Sequence, residues 1–254
     1  VSTFHSVWSE EQLEVHRVSA ETARAVAMDA FTRAAEYARL SNPLLEGQLG
    51  GWIREELAAR GMSVDADAHV AIGANAADPH YDPRDGGDAI AAGEVLLIDL
   101  WGKPTEGGVF ADQTWMGILS DGVPDRLQTI WEAVRGAREA GIDFLRSCHD
   151  DGRAARGYEV DDVCRGFIVD RDFGEFFVHR TGHSMDIELH GSGPNLDNLE
   201  TRDDRLLVRG VGFSVEPGIY IPGDVGVRSE INVHWGAGGP EVTPRERQDE
   251  ILVL

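Results

Sequence analysis

Lysine occurs once in the 254 residues, at Lys103, and every other cationic side chain is arginine. Basic residues number 23 against 45 acidic ones, a formal net charge of −22. A surface this poor in positive charge repels phosphate. That argues against nucleic-acid and anionic-membrane partners and leaves a peptide or small-molecule substrate. Cysteine is also scarce, with Cys148 and Cys164 lacking a C-x-x-C spacing. No disulfide framework can be built from them, so free buried thiols in a reducing, cytoplasmic setting are expected. No apolar run approaches the roughly 18–20 residues that cross a bilayer, and no basic-then-apolar leader opens the chain. The first residue is Val1 rather than methionine, which suggests a processed or excised segment and leaves room for an N-terminal domain upstream.

What is present suits a folded chain: 42% of the residues are hydrophobic, enough for a sizeable core. No low-complexity linker interrupts it, so residues 1–254 are expected to form one domain. Helices are expected over Ser19–Leu40, ended by Ser41, Asn42 and Pro43, and over Leu45–Arg60, stopped by Gly61. Ala68–Ile72 reads as a short strand, followed by a polar loop with Pro79, His80, Asp82 and Pro83. Glu94–Trp101 and Val109–Leu119 read as a hairpin around the turn Gly102–Gly108. Helices over Asp125–Cys148 and Asp161–Asp170 come next. Strands follow over Phe176–His179, Met185–His190, Gly212–Tyr220, Val225–Trp235 and Ile251–Leu254. Helices then strands, twice over, imply an α+β fold in which helices from both halves back one curved antiparallel sheet.

Several polar residues sit where apolar ones are expected. Asp99 is surrounded by Leu96, Leu97, Ile98, Leu100 and Trp101. An unpaired carboxylate there would cost several kcal/mol, so it needs a salt bridge, a turn or a metal ion. Asp112 lies on the next strand, on a face shared with Phe110 and Thr114, so the hairpin can bring two carboxylates together, which then need a cation. His179, His183 and His190 fall within twelve positions around Gly182, and three such histidines favour a site. Glu216 ends an apolar strand before Pro217. Alternation puts Arg228, Glu230 and Asn232 on one face of the last long strand, a pattern that half-solvation would also explain. Four carboxylates with one imidazole suit two divalent ions of the manganese, cobalt, iron or zinc kind, whose charges balance. Two such ions make a water nucleophile at neutral pH.

The strings IDLWG (Asp99), FADQTW (Asp112), HRTGH (His183), SVEPGIY (Glu216) and GVRSEIN (Glu230) occur in the order of the metal motifs of the pita-bread family. This chain resembles that family from the helix near Ser19 to the last strand. The family includes creatinase, prolidase, Xaa-Pro aminopeptidase and methionine aminopeptidase, and the resemblance implies its creatinase/aminopeptidase fold of two pseudo-symmetric halves. It implies that Asp99 holds one metal, His183 and Glu216 the other, and Asp112 and Glu230 both. Glu216 would shuttle the proton between attacking water and leaving amine. His80, in DPHYDP, is similar to a substrate-facing histidine, and His190 to one that stabilises the tetrahedral intermediate. His179 would line the same pocket, and Arg228 would orient Glu230. HRTGHSMDIELHG and YIPGDVGVRSEINV resemble the Xaa-Pro branch. The loop between Asp99 and Asp112 is longer than the family pattern, and FADQTW departs from its usual string. The implied activity is hydrolysis of an N-terminal Xaa-Pro bond. The alternatives are methionine aminopeptidase, a C–N hydrolase or lyase on the same fold, and a non-catalytic binding module. A homodimer is compatible with the family.

Overall fold

The computed structural model describes residues 6–254 apart from positions 41, 65, 85 and 106. Helix α1 (Glu10–Ala38) begins well before Ser19, because Ser9 and Gln12 form a reciprocal cap: Gln12 N donates to Ser9 Oγ and Ser9 N to Gln12 Oε1. Ser41, expected to help end this helix, lies outside the described residues. Helix α2 (Glu46–Ala59) precedes three strands, β1 (Met62–Ser63), β2 (His69–Ile72) and β3 (Val95–Pro104). Gly102 and Pro104, expected in a turn, extend β3, which meets β4 (Ala111–Ile118) across a shorter connection.

The second half opens with α3 (Asp125–Asp150) and α4 (Gly157–Val169). Its strands are β5 (Ser184–Met185), β6 (Gly212–Val215), β7 (Gly218–Ile221), β8 (Val225–Arg228), β9 (Ile231–Gly236), β10 (Gly239–Thr243) and β11 (Leu252–Val253). Phe176–His179 is not a strand, because Arg165 takes the carbonyls of Phe177 (2.9 Å) and His179 (2.8 Å) that a ladder would need. The strand expected over Met185–His190 stops at Met185. There Asp186 accepts the N–H groups of Glu188 and Ser192 and turns the chain. Gly212–Tyr220 breaks at Glu216 and Pro217, and Val225–Trp235 breaks at Ser229 and Glu230.

The fold is α+β. β1 and β2 both pair antiparallel with β3, β3 pairs with β4, and β11 adds a parallel edge to β4. A second ladder runs β10-β9-β6-β5, and β7 and β8 form a hairpin. Each half has its own core. Ala27, Phe31, Leu49 and Ile53 pack with Leu96, Ile98, Leu100 and Trp115, whereas Trp131, Val134 and Cys164 pack with Phe213, Val215 and Val227. Leu97 and Met116 join the second cluster, so β3 and β4 are buried on both faces, and alternate residues serve the two cores. Burying one such Leu or Ile is worth about 1.5–3 kcal/mol. Asp99 shares the Leu97 face, which looks toward the second half. Cys148 and Cys164 are free and buried. Among the described residues no helix is long and apolar enough to cross a membrane.

Candidate metal centre

The β3–β4 register sets Asp99 opposite Thr114 and Trp101 opposite Asp112, so the four side chains share one face. Asn232 fixes Asp112 from behind, accepting its N–H at 3.0 Å and donating to its carbonyl at 2.6 Å. Glu230 leaves the ladder between β8 and β9, and its Oε2 accepts from Thr114 Oγ1 at 2.8 Å. Arg228, Glu230 and Asn232 are all buried, so the solvated face that alternation allows does not form.

Glu216 stands between β6 and β7. Ser214 Oγ donates to its Oε1 at 3.0 Å and accepts from His183 N at 3.0 Å. The His183 segment lies tight on β6 because residue 182 is glycine: a Cβ there would meet Ser214 O at 2.1 Å. His183 Nδ1 donates to Ser184 O at 3.1 Å, which directs the Nε2 lone pair toward Asp112 Oδ2 (3.4 Å) and Glu216 Oε1 (3.5 Å). A metal-binding imidazole needs that tautomer.

Ligand atoms of Asp112, His183 and Glu230 lie within 4.8 Å of one another. Asp99 Oδ1, Asp112 Oδ1 and Glu230 Oε1 are buried without a hydrogen-bond partner. Each such oxygen costs about 1–3 kcal/mol or more when nothing satisfies it. Burial pushes the Asp112 carboxyl up to about 7, opposed by His183 and reinforced by the charges of Asp99 and Glu216. Burial and the charges of Asp112, Glu216 and Asp99 push Glu230 well above the usual carboxylate range. For Glu216, burial acts upward, but His183, His179 and Arg228 outweigh it and hold the group below its ordinary value. For His183, burial acts downward and is overcome by Asp112 and Glu216. Carboxylates so crowded are stable as anions only with cations among them, and the oxygen-and-imidazole set suits divalent metal. The residues therefore fit a divalent metal centre.

Arg228 was expected to orient Glu230. It reaches Glu230 only through Thr114 (Nε to Oγ1, 2.8 Å), and it grips Asp99 directly (Nη2 to Oδ2, 2.5 Å). Its Nη1 lies 3.3 Å from Tyr220 OH. His179 Nδ1 donates to Arg180 O at 2.7 Å, so its Nε2 accepts from Tyr220 OH at 2.8 Å; burial lowers this imidazole. The His190 ring stands edge-on to His183, with centroids 4.5 Å apart. His80, His179, His183 and His190 line one cleft of about 420 Å³ together with all four carboxylates, Arg228 and Trp101. A larger hollow, about 680 Å³, lies along α1 and β10. It holds no comparable set of inward-facing acids and histidines, and its Arg17 is already paired with Glu14 and Glu241.

Sequence reasoning missed His69, which lines the cleft beside Asp99, as well as Arg180 and Glu200. β2 places His69 opposite Asp99, with Nδ1 3.7 Å from Asp99 Oδ2, and its ring stands edge-on to Trp101 at 5.0 Å. No local pattern in DADAHVAI marks it; only the β2–β3 register does.

An α+β fold of two helix-backed halves, with four carboxylates and an imidazole converging where they meet, defines the pita-bread class of metalloprotein. The chain belongs to metallopeptidase family M24, whose model matches residues 18–235. It is 36% identical over 169 residues to the Xaa-Pro dipeptidase of Lactobacillus delbrueckii subsp. lactis, covering 66% of this chain and 42% of that protein. It is 30% identical over 186 residues to the probable dipeptidase PepE of Mycobacterium tuberculosis, covering 73% and 46%. The X-Pro aminopeptidase of Thermotoga maritima superposes with a TM-score of 0.83 at 26% identity, over 100% of this chain and 66% of that one. Dipeptidase PepE of Mycobacterium ulcerans gives 0.81 at 27%, over 99% and 62%. The matched segments make up less than half of the two curated relatives.

Proposed function

We propose that this chain hydrolyses the bond between an N-terminal residue and a following proline, using two divalent ions held by Asp99, Asp112, His183, Glu216 and Glu230. The observation that carries the reading is the convergence of three unpartnered carboxylate oxygens and the His183 Nε2 lone pair in one cleft. The substrate follows from similarity to proteins named for Xaa-Pro cleavage. Asp99 would serve one ion, His183 and Glu216 the other, and Asp112 and Glu230 both. Manganese, cobalt, iron or zinc, bound there, supplies Lewis acidity and makes water a nucleophile at neutral pH.

Glu216, whose anionic form the Arg228 charge favours, takes the proton of the attacking water as oxygen bonds to the carbonyl carbon. It returns that proton to the proline nitrogen as the C–N bond breaks, leaving a free amino acid and a shortened peptide. His190, beside His183 and open to the cleft, donates to the developing oxyanion. His80 faces the substrate, and His179, its Nε2 occupied by Tyr220, walls the pocket. Residues 1–254 act as one catalytic domain, and two free buried thiols suit a cytoplasmic setting.

The test is an assay of metal-stripped protein, with and without manganese or cobalt, against an Xaa-Pro dipeptide, a longer Xaa-Pro peptide and a methionyl peptide. Metal-dependent Xaa-Pro cleavage that Glu216→Ala abolishes is the expected result. Methionyl preference would move the chain to the other branch, and metal binding without cleavage of any peptide would overturn the peptidase reading.

A further inference from the structure

The connection between β2 and β3 carries Pro79 and His80 into the cleft, and a buried side chain outside the metal cluster holds it there. Glu46 opens α2 and is fully buried. Its Oε1 accepts from Ile72 N at 2.7 Å and Asn75 Nδ2 at 3.1 Å, and its Oε2 accepts from Tyr81 OH and Asp88 N, both at 2.6 Å. These donors bracket the loop. Ile72 ends β2, Tyr81 directly follows His80, and Asp88 lies where the chain turns back.

The start of α2 adds main-chain ties. Glu46 N donates to Asp88 O at 3.0 Å, Gly47 N to Gly86 O at 2.8 Å, and Ile90 N to Leu44 O at 2.8 Å. Gly87 closes the backbone over the carboxylate: its φ is +87°, and a Cβ there would meet Glu46 Oε2 at 2.4 Å. The first turn of a helix also favours negative charge. Burial and the bond to Glu46 both raise the Tyr81 phenol, so it stays a donor across the working range. A buried carboxylate is costly unless fully hydrogen-bonded, and here every bond it accepts comes from the loop or its ends.

We infer that Glu46 is a positioning residue for hydrolysis: by holding Tyr81 and both ends of the loop, it fixes His80 over the metal cluster. This rests on the reaction proposed above and on His80 facing the substrate in it. A displacement of the order of 1 Å can cost about 100-fold in rate. A carboxylate that takes no part in the chemistry can therefore matter to it.

The test is a double-mutant cycle on manganese-loaded enzyme, pairing Glu46→Gln with His80→Ala, and read with amide hydrogen exchange. Glu46→Gln keeps the volume but turns an NH2 donor toward the Tyr81 and Asp88 donors. It is expected to lower kcat/KM about 10- to 100-fold, at unchanged manganese content, when His80 is present. In the His80→Ala background the same change is expected to cost less than about twofold, because the two act through one element. Tyr81→Phe removes one of the four donor groups and repeats the non-additivity at smaller size if Glu46→Gln fails to fold. Exchange is expected to quicken over residues 73–88 and not in β3 or β4. Equal losses in both backgrounds, or unchanged loop exchange, would overturn the inference. If the wild-type enzyme cleaves no Xaa-Pro peptide, the proposed reaction fails. Loop exchange in Glu46→Gln then decides the positioning role alone: selective quickening supports it, and no change overturns it.

Discussion

Arg228 Nη2 donates to Asp99 Oδ2 at 2.5 Å and leaves Asp99 Oδ1 buried without a partner, while Arg228 Nε reaches Thr114, which donates to Glu230. One guanidinium therefore braces two of the proposed ligands, on β3 and on the β8–β9 connection. Arg228→Ala strands a buried carboxylate, and a loss of about 3–5 kcal/mol is expected in urea unfolding. Arg228→Lys keeps the charge but gives up the fork. A folded protein with manganese affinity reduced about 10- to 100-fold by calorimetric titration is expected. Unchanged affinity would mean that Arg228 does not orient the ligands.

Glu230 is buried against three other carboxylates, which is unfavourable until a cation joins them. Glu230→Gln is therefore expected to make the metal-free protein more stable, by about 1–2 kcal/mol, as functional sites often trade stability for chemistry. Manganese at about 100 times its dissociation constant stabilises the wild type by about 2.7 kcal/mol, and the variant should gain far less. Urea curves with and without manganese test both statements. A metal-free variant less stable than the wild type contradicts the first.

The pH dependence of stability has a source away from the metal cluster. His16 is buried under Trp8, donates from Nδ1 to Phe110 O (2.9 Å) and accepts at Nε2 from Thr243 Oγ1 (2.8 Å). Burial lowers it from 6.5 to about 4; His234 and Arg17 act the same way, and the Phe110 carbonyl and Glu241 oppose them. Between those values the unfolded chain binds a proton that the native state does not. Stability from this group is thus complete above the upper value and is lost as pH falls toward the lower one. The loss is about 3 kcal/mol. Wild type should lose that much more than His16→Gln between neutral pH and pH 4 (about the lower value), whereas parallel curves would contradict the assignment.

His69 and Trp101 form an edge-to-face pair on the Asp99 side of the cleft, next to Pro79. Trp101 lines the proposed substrate cleft, so Trp101→Ala is expected to weaken substrate binding rather than to disturb the reacting atoms. KM should rise about 10-fold, and kcat should change less than about threefold. Steady-state kinetics decide this, and a fall in kcat at constant KM would count against it.

What the sequence makes legible follows burial. Asp99 in LLIDLW stands out because nothing around it can solvate a carboxylate, and the order of apolar runs and helical periodicities already implies the α+β architecture. Register and chain breaks are not local properties. His69 meets Asp99 only through β2–β3 pairing. Glu46 reads as an ordinary acid in a helical first turn, and its burial arises only when the loop closes over it. The two long strands expected in the second half each break at a proposed ligand, Glu216 before Pro217 and Glu230 after Ser229. A carboxylate must leave the ladder there to join the group between the two halves.

The central claim is tested most directly by counting metal. Protein stripped with chelator and titrated with manganese in a calorimeter should take up two equivalents per chain, and Glu230→Gln, lacking a ligand proposed to serve both ions, should take up no more than one, weakly. Two tight equivalents in Glu230→Gln, or one or none in the wild type, would contradict a two-metal centre built on these five residues.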